Sequence, residues 1–173
     1  ILLSEISRRW IDHRTTMSMV KDILMYLDRT FVEDQKKLSI WHMGLLLFRE
    51  TIIFYPEIRG RVRSILIESI THERNGRMID RDLIKSILQM LVEVGIDSLS
   101  VYEEEFEYLF LDSTREYYRQ EAQKYLTESS CSDYLKKVEK RLEEELSRCR
   151  AYLSASSEPH MKSIIEQEFI TNH

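Results

Sequence analysis

Chain breakers are scarce in this sequence: 4 Gly and 2 Pro occur in 173 residues, while Leu, Ile, Glu, Arg and Lys dominate. Gly loosens a helix through backbone entropy and Pro through its missing N–H, so their rarity points to an all-helical chain with short connections. Cysteine is equally sparse. Cys131 and Cys149 stand too far apart for a metal-ligand spacing, and two thiols in a helical chain suit a reducing compartment. Long apolar runs are missing too, since no window approaches the roughly 20 uninterrupted apolar residues that span a bilayer. No excess of positive charge exists: Lys and Arg number 25 against 30 Asp and Glu, a net charge of −5. That balance excludes the clustered basic face of a nucleic-acid binder.

Catalytic signatures are absent as well. The histidines at 13, 42, 72, 160 and 173 are scattered, and no Glu-x-x-His pair supports a di-metal bundle. Glu68 and His72 share a helix face, but two ligands make no metal site. There is no phosphate-cradling Gly-rich loop and no Gly-x-Ser-x-Gly elbow. The acidic triplets Glu103-Glu104-Glu105 and Glu143-Glu144-Glu145 read as solvated helix faces. No cofactor or metal is expected. The opening Ile1-Leu2-Leu3-Ser4-Glu5 is not a signal peptide, because Glu5 and further charges come at once. With no initiator Met and a first helix already in phase, a segment of a longer helical protein is expected.

Helical periodicity, by contrast, is plain. Leu3, Ile6, Trp10, Met17, Val20, Leu24, Leu27 and Phe31 recur every 3 or 4 residues, with His13 filling the gap, and predict one long helix over 1–34. A charged turn comes next at Glu33 to Lys37, then a helix from Leu38 to Tyr55 whose apolar face includes Ile40, Leu45, Phe48 and Ile52. Gly44 in that helix permits close contact. Pro56 opens the next helix, which stops at Asn75-Gly76 with His72 and Arg74 suiting its negative end. Asp80 caps another, closed by Gly95. Ser100 and Glu103 form a capping-box pattern that opens a helix running to about Ser129. Ser132 starts a further helix with Leu135 and Leu142 inward, broken at Ser157-Glu158-Pro159 before a short last one. Trp10 and Trp41 are core candidates; Tyr102, Tyr108, Tyr117 and Tyr118 suggest a stacking surface for bases, but without interleaved Lys or Arg ordinary packing is expected of them. No unit repeats within the window, which excludes small-period solenoids.

At 100° per residue, Thr15, Met19, Asp22, Tyr26 and Arg29 fall opposite the main stripe of the first helix. Either Tyr26 and Met19 cover a neighbouring loop, or the strip docks another protein, since interfaces are enriched in Tyr, Met and Arg. Two rival readings remain beside a docking module: a helical-bundle enzyme or metal-holding module around Glu68 and His72, and a homodimeric coiled coil using the Val138 to Leu153 helix.

The block Asp22-Ile23-Leu24-Met25-Tyr26-Leu27-Asp28-Arg29-Thr30-Phe31-Val32 resembles the last helix of the first repeat of the cullin family. Trp10-Ile11-Asp12-His13, Met43-Gly44-Leu45 and Glu73-Arg74-Asn75-Gly76 extend the likeness. So do Ser100-Val101-Tyr102-Glu103-Glu104-Glu105-Phe106-Glu107 and Tyr134-Leu135-Lys136-Lys137-Val138, and it covers essentially the whole chain. The resemblance implies an elongated stalk of five-helix cullin repeats. Residues 1–34 would be the last helix of the first repeat and residues 35–173 the second repeat. It implies a non-catalytic scaffold of a multisubunit RING ubiquitin ligase, cytoplasmic and nuclear, whose RING-binding part lies beyond this segment.

Within the family, Asp22 to Arg29 and Val101-Tyr102-Glu103-Glu104 look most like the branch that recruits BTB-domain adaptors. Ser39-Ile40-Trp41 has some likeness to the branch that uses a β-propeller adaptor. Tyr26 and Arg29 match the family's adaptor-contacting positions, with Asp22, Met25 and Met19 as neighbours. Phe31, on the main stripe, is expected to be buried.

Overall fold

A computed structural model describes residues 1–32, 34–128 and 131–171. Helices α1 (Leu2–Ile23) and α2 (Met25–Leu27) lead into a π-helical turn, Asp28–Val32. Then come α3 (Ile40–Phe48) with a π turn at Arg49–Ile53, α4 (Pro56–Arg74) and α5 (Arg81–Glu93). After them run α6 (Ser100–Tyr102), a π turn at Glu103–Glu107, α7 (Tyr108–Glu128), α8 (Cys131–Tyr152), α9 (Ser157–Glu166) and a last π turn, Gln167–Thr171. No strand occurs among the described residues. Glu33 of the expected charged turn, the helix end placed at Ser129 and His173 lie outside the described residues.

Several boundaries are set by single residues. Tyr55 is extended (φ −63°, ψ 119°), the conformation forced on a residue before proline, and Pro56 occupies the first helical turn. Gly76 ends the α4 exit with φ +81°. The Asp80 carboxylate accepts the Leu83 N–H at 2.9 Å and so caps α5. Other expectations fail for local reasons. The proposed Ser100 capping box does not form: Leu99 holds the cap position, and Ser98 Oγ accepts the Ser100 N–H at 3.1 Å instead. The last break falls between Tyr152 and Ser157, and Pro159 sits inside the first turn of α9, where a missing N–H costs nothing.

The long first helix is also interrupted. Leu24 leaves helical geometry (φ −97°, ψ 15°) and the π turn begins at Asp28. Only Leu3, Ile6, Ser7 and Trp10 of α1 are buried, and no residue of α2 or its π turn is. The expected stripe therefore stops halfway. Leu24, Leu27 and Phe31 are 39%, 45% and 50% exposed, so Phe31 is not a core residue.

One contiguous core runs from Leu3 on α1 to Phe169 behind α9. Trp10 packs on Phe48 with ring centroids 4.9 Å apart, and α1 leans on both α3 and α5. On the other side α5 meets α8, while α9 packs on α7 and α8. Tyr102 and Tyr118 are fully buried, whereas Trp41 and Tyr117 are only half-buried and Leu135 and Tyr108 are exposed, so Tyr108 does not pack as expected.

The acidic triplets are not solvated faces throughout. Glu145 is fully buried, and its carboxylate accepts from Arg74 Nε at 2.9 Å, Arg148 Nη1 at 2.6 Å and the Tyr118 hydroxyl at 2.7 Å. This binds α4, α7 and α8 together. Arg74 is accordingly a buried ion-pair partner rather than a surface cation at a helix end. Glu105, 3% exposed, accepts from Arg59 at 2.6 Å and Arg63 at 2.9 Å, which ties α4 to the Glu103–Glu107 turn.

Candidate functional site

The N-terminal half of α1 is anchored by apolar burial and by Ser7, whose hydroxyl lies 2.9 Å from that of Ser86 on α5. Further along, His13 Nε2 lies 2.8 Å from the Gly44 carbonyl of α3. Gly44 lets the helices close up: a Cβ there would stand 2.6 Å from Met17 Cε and 2.7 Å from its Cγ. Beyond Met17 no residue of the helix is buried, although Val20, Asp28, Thr30 and Val32 are half-covered. His13 is thus a half-buried, hydrogen-bonded histidine, as its place on the stripe suggests.

All five candidate adaptor-contacting residues, Met19, Asp22, Met25, Tyr26 and Arg29, are exposed, and so is Thr15. Tyr26 is 81%, Met19 61% and Met25 46% open, and Asp22 and Arg29 are exposed too. None covers a loop of this chain. Among the described residues no side-chain hydrogen bond or ion pair engages Asp22, Tyr26 or Arg29, so a carboxylate, a phenol and a guanidinium stand free on one side of the chain. Met19 and Asp22 stand on α1, Met25 and Tyr26 on α2, and Arg29 in the π turn. The strip is therefore not one straight line on a regular helix.

Sequence reasoning missed the breadth of the surface. Ile23 is 79% exposed, and with Leu24, Leu27 and Phe31 it makes the whole end of this helix an uncovered apolar surface. Ile23 had a readable signal, an apolar residue off the main stripe. Apolar patches of this kind mark interaction sites on soluble proteins. Lys37 Nζ stands over the Phe31 ring, 5.3 Å from its centre. Beside Met19, a shallow cleft lined by Ile11, Arg14, Thr15, Ser18 and Trp41 continues the surface toward the fold body.

Among the described residues no group of three His, Cys, Asp or Glu side chains could hold a metal ion, and Glu68 and His72 are simply exposed on α4. Strongly shifted groups belong to the interior. Burial pushes the Cys149 thiol up to about 12, and it pushes the Tyr102 hydroxyl up to about 12 despite bonds to Ser157 and the Ser154 N–H. Both shifts make these groups inert near neutrality. No helix among the described residues is long and apolar enough to cross a membrane.

Comparison with known proteins gives a consistent result. The cullin alpha solenoid domain matches residues 1–173. Cullin-3 of Dictyostelium discoideum is 43% identical over 99% of this chain and 22% of its own length. Cullin-3A of Arabidopsis thaliana is 41% identical over 99% of this chain and 23% of its own. Cullin-4A of Mus musculus is 36% identical over 100% of this chain and 22% of its own. The chain thus spans less than a quarter of the length of these relatives.

Proposed function

Since the chain belongs to the cullin family, with Cullin-3 proteins among its similar relatives, we propose that it is a stalk segment of a cullin-RING ubiquitin ligase scaffold that docks a BTB-domain adaptor. Residues 1–34 form the last helix of the first repeat and residues 35–173 the second repeat. The segment is non-catalytic and works in the cytoplasm and nucleus. It spaces the adaptor-held substrate from a RING module bound by a distant part of the protein.

The observation that carries the docking reading is the free, solvent-facing Tyr26 beside Arg29 on an apolar helix end. The exposure of Tyr26 and Arg29, the positions the family resemblance points to, supports this reading. The spacing role draws on the buried ion pairs that tie α4, α7 and α8, because close-packed helices with internal ties transmit position with little compliance. The higher identity to the Cullin-3 relatives than to Cullin-4A supports the BTB branch over the β-propeller branch.

Buried interface aromatics commonly contribute about 2 kcal/mol or more on truncation. Tyr26→Ala in the intact N-terminal stalk is therefore expected to weaken binding of a purified BTB-domain adaptor at least tenfold, or about 1.4 kcal/mol. Its helical melting curve should not move, because Tyr26 touches no core residue. Calorimetric titration with undiminished affinity would remove the proposed role, and capture of a β-propeller protein instead would move the chain to the other branch.

A further inference from the structure

We propose that Asp28 is a positioning residue that sets the orientation of Tyr26 and Arg29 toward the adaptor without touching it, an inference that rests on the docking reading above. Burial normally fixes how a helix is turned, yet no residue from Ile11 onward in α1, α2 or the π turn is buried. His13 and Met17 hold α1 to Gly44 before the break at Leu24. Backbone bonds continue across it, from the Leu24 N–H to the Val20 carbonyl at 2.9 Å and from the Asp28 N–H to the Leu24 carbonyl at 3.0 Å, so the residues beyond need a second fixed point to hold their rotation.

Past the break, Asp28 supplies the connection. Its Oδ1 accepts the Ile40 N–H at 3.0 Å, the one side-chain hydrogen bond that joins residues 24–32 to α3 among the described residues. Ile40 opens α3, so its N–H has no acceptor within that helix. Ser39 Oγ takes the His42 N–H at 3.2 Å, and Asp28 completes the cap from 12 residues upstream. A carboxylate at this end of a helix is favoured by both the charge-assisted bond and the helix dipole.

The consequence is geometric. Residues one and two apart on a helix point in different directions, so drawing Asp28 inward onto α3 turns Tyr26 and Arg29 away from it. The exposure of both residues and the half-burial of Asp28 agree with this. A second local bond, Thr30 Oγ1 to the Tyr26 carbonyl at 2.7 Å, holds the π turn that carries Arg29.

The test titrates the full-length chain with a purified BTB-domain adaptor and monitors amide hydrogen exchange at Ile40. Asp28→Ala is expected to weaken binding about tenfold, the scale of a lost cap, and to speed exchange at Ile40. Asp28→Asn keeps a carbonyl oxygen that can accept the same N–H, so its affinity should stay within about threefold of the parent. Adding Asp28→Ala to Tyr26→Ala should weaken binding by less than the product of the single losses, since one acts through the other. Unchanged affinity for Asp28→Ala alongside a loss for Tyr26→Ala overturns the inference and leaves the docking reading standing. Fully multiplicative losses overturn it too, as does an Asp28→Asn variant as weak as Asp28→Ala with normal Ile40 exchange, because Asp28 would then meet the adaptor itself. Undiminished binding by Tyr26→Ala removes the docking reading, and this inference with it.

Discussion

Replacing Glu145 by Gln keeps the shape of the side chain and removes the anion that Arg74 and Arg148 share at the α4–α7–α8 junction. The carboxylate is buried to the last atom and is shared by Arg74 and Arg148, which are 3% and 7% exposed. Arg74 has no second anion within ion-pair reach among the described residues. Its remaining partners are Thr114 Oγ1 at 2.7 Å and the ring faces of Phe110, Tyr117 and Tyr118, each between 5.3 and 5.4 Å away. Arg148 retains Glu73 at 3.4 Å. Removing one partner of a buried ion pair costs about 3–5 kcal/mol, because an uncompensated charge stays behind. For a chain of this size each kcal/mol lowers Tm by about 2–4 °C, so Glu145→Gln should lower it by about 6–20 °C.

The geometry also fixes an order. Arg74→Met leaves Glu145 with Arg148 and the Tyr118 hydroxyl, so one charge remains paired. Arg74→Met should therefore cost less than Glu145→Gln, and Arg74→Met combined with Glu145→Met less than the sum of the separate losses. Urea unfolding monitored by circular dichroism measures all of these, with an unchanged slope confirming that only stability moved. A Glu145→Gln loss under about 1 kcal/mol, the range of exposed ion pairs, would refute the reasoning. So would an Arg74→Met loss larger than that of Glu145→Gln.

The same carboxylate gives a pH signature. Burial alone would push Glu145 up, but Arg74, Arg148 and the Tyr118 hydroxyl outweigh it and hold the group below the usual carboxylate range. A lowered folded-state value contributes stability that is complete above the ordinary range near pH 4–5 and is lost as pH falls through the lowered value. The Tm gap between the parent chain and Glu145→Gln should thus narrow below about pH 4; a constant gap in thermal scans down to pH 2 contradicts it. Three glycines should respond differently to Ala by chemical denaturation. Gly60→Ala, with open space at its Cβ in mid-α4, should stabilise by about 0.5–1 kcal/mol, and a loss contradicts that. Gly44→Ala should cost about 1–3 kcal/mol and be partly relieved by Met17→Ala, because the new methyl strikes that side chain. Gly95→Ala should cost more than Gly44→Ala, since its Cβ would collide with the Ser98 carbonyl oxygen, which cannot rotate away; an equal or smaller loss would show that the backbone gives way.

The helices were legible because their signals are local. Pro56, Asp80 and Gly76 act on the turns they occupy, and the 3.6-residue period of α4 and α5 needs no knowledge of the partner helix. The π turns were not, because a π turn changes the register of the residues after it without leaving a sequence mark; the one at Asp28–Val32 is tied to α3 by a bond across 12 residues. The buried charges stood in plain sight but under the wrong rule. Val62, Leu66, Ile70 and Arg74 step by four along one line, and Val138, Leu142, Glu145, Cys149 and Tyr152 step by four and three along another. A charge in phase with an apolar stripe is carried into the core whatever its neighbours in sequence are, and the stripe of the other helix names its counter-charge. Phase, not local charge density, separates Glu145 from the exposed Glu143.

The same rule runs backwards on the first helix. Leu24, Leu27 and Phe31 continue the stripe of Leu3, Ile6 and Trp10, yet no helix of the described residues covers them. Periodicity therefore reports where an apolar neighbour fits, not which molecule supplies it. That distinction is why Tyr26 and Arg29, off the stripe, were recognisable as solvent-facing while Phe31, on it, was not. It also separates two kinds of exposure on one helix end: Leu24, Leu27 and Phe31 continue an apolar stripe, and the Met19, Asp22, Tyr26 and Arg29 side carries the polar atoms. An adaptor that engages only the second side should bind with its affinity controlled by Tyr26 and indifferent to Phe31→Ala, whereas one that caps the stripe should lose affinity with both.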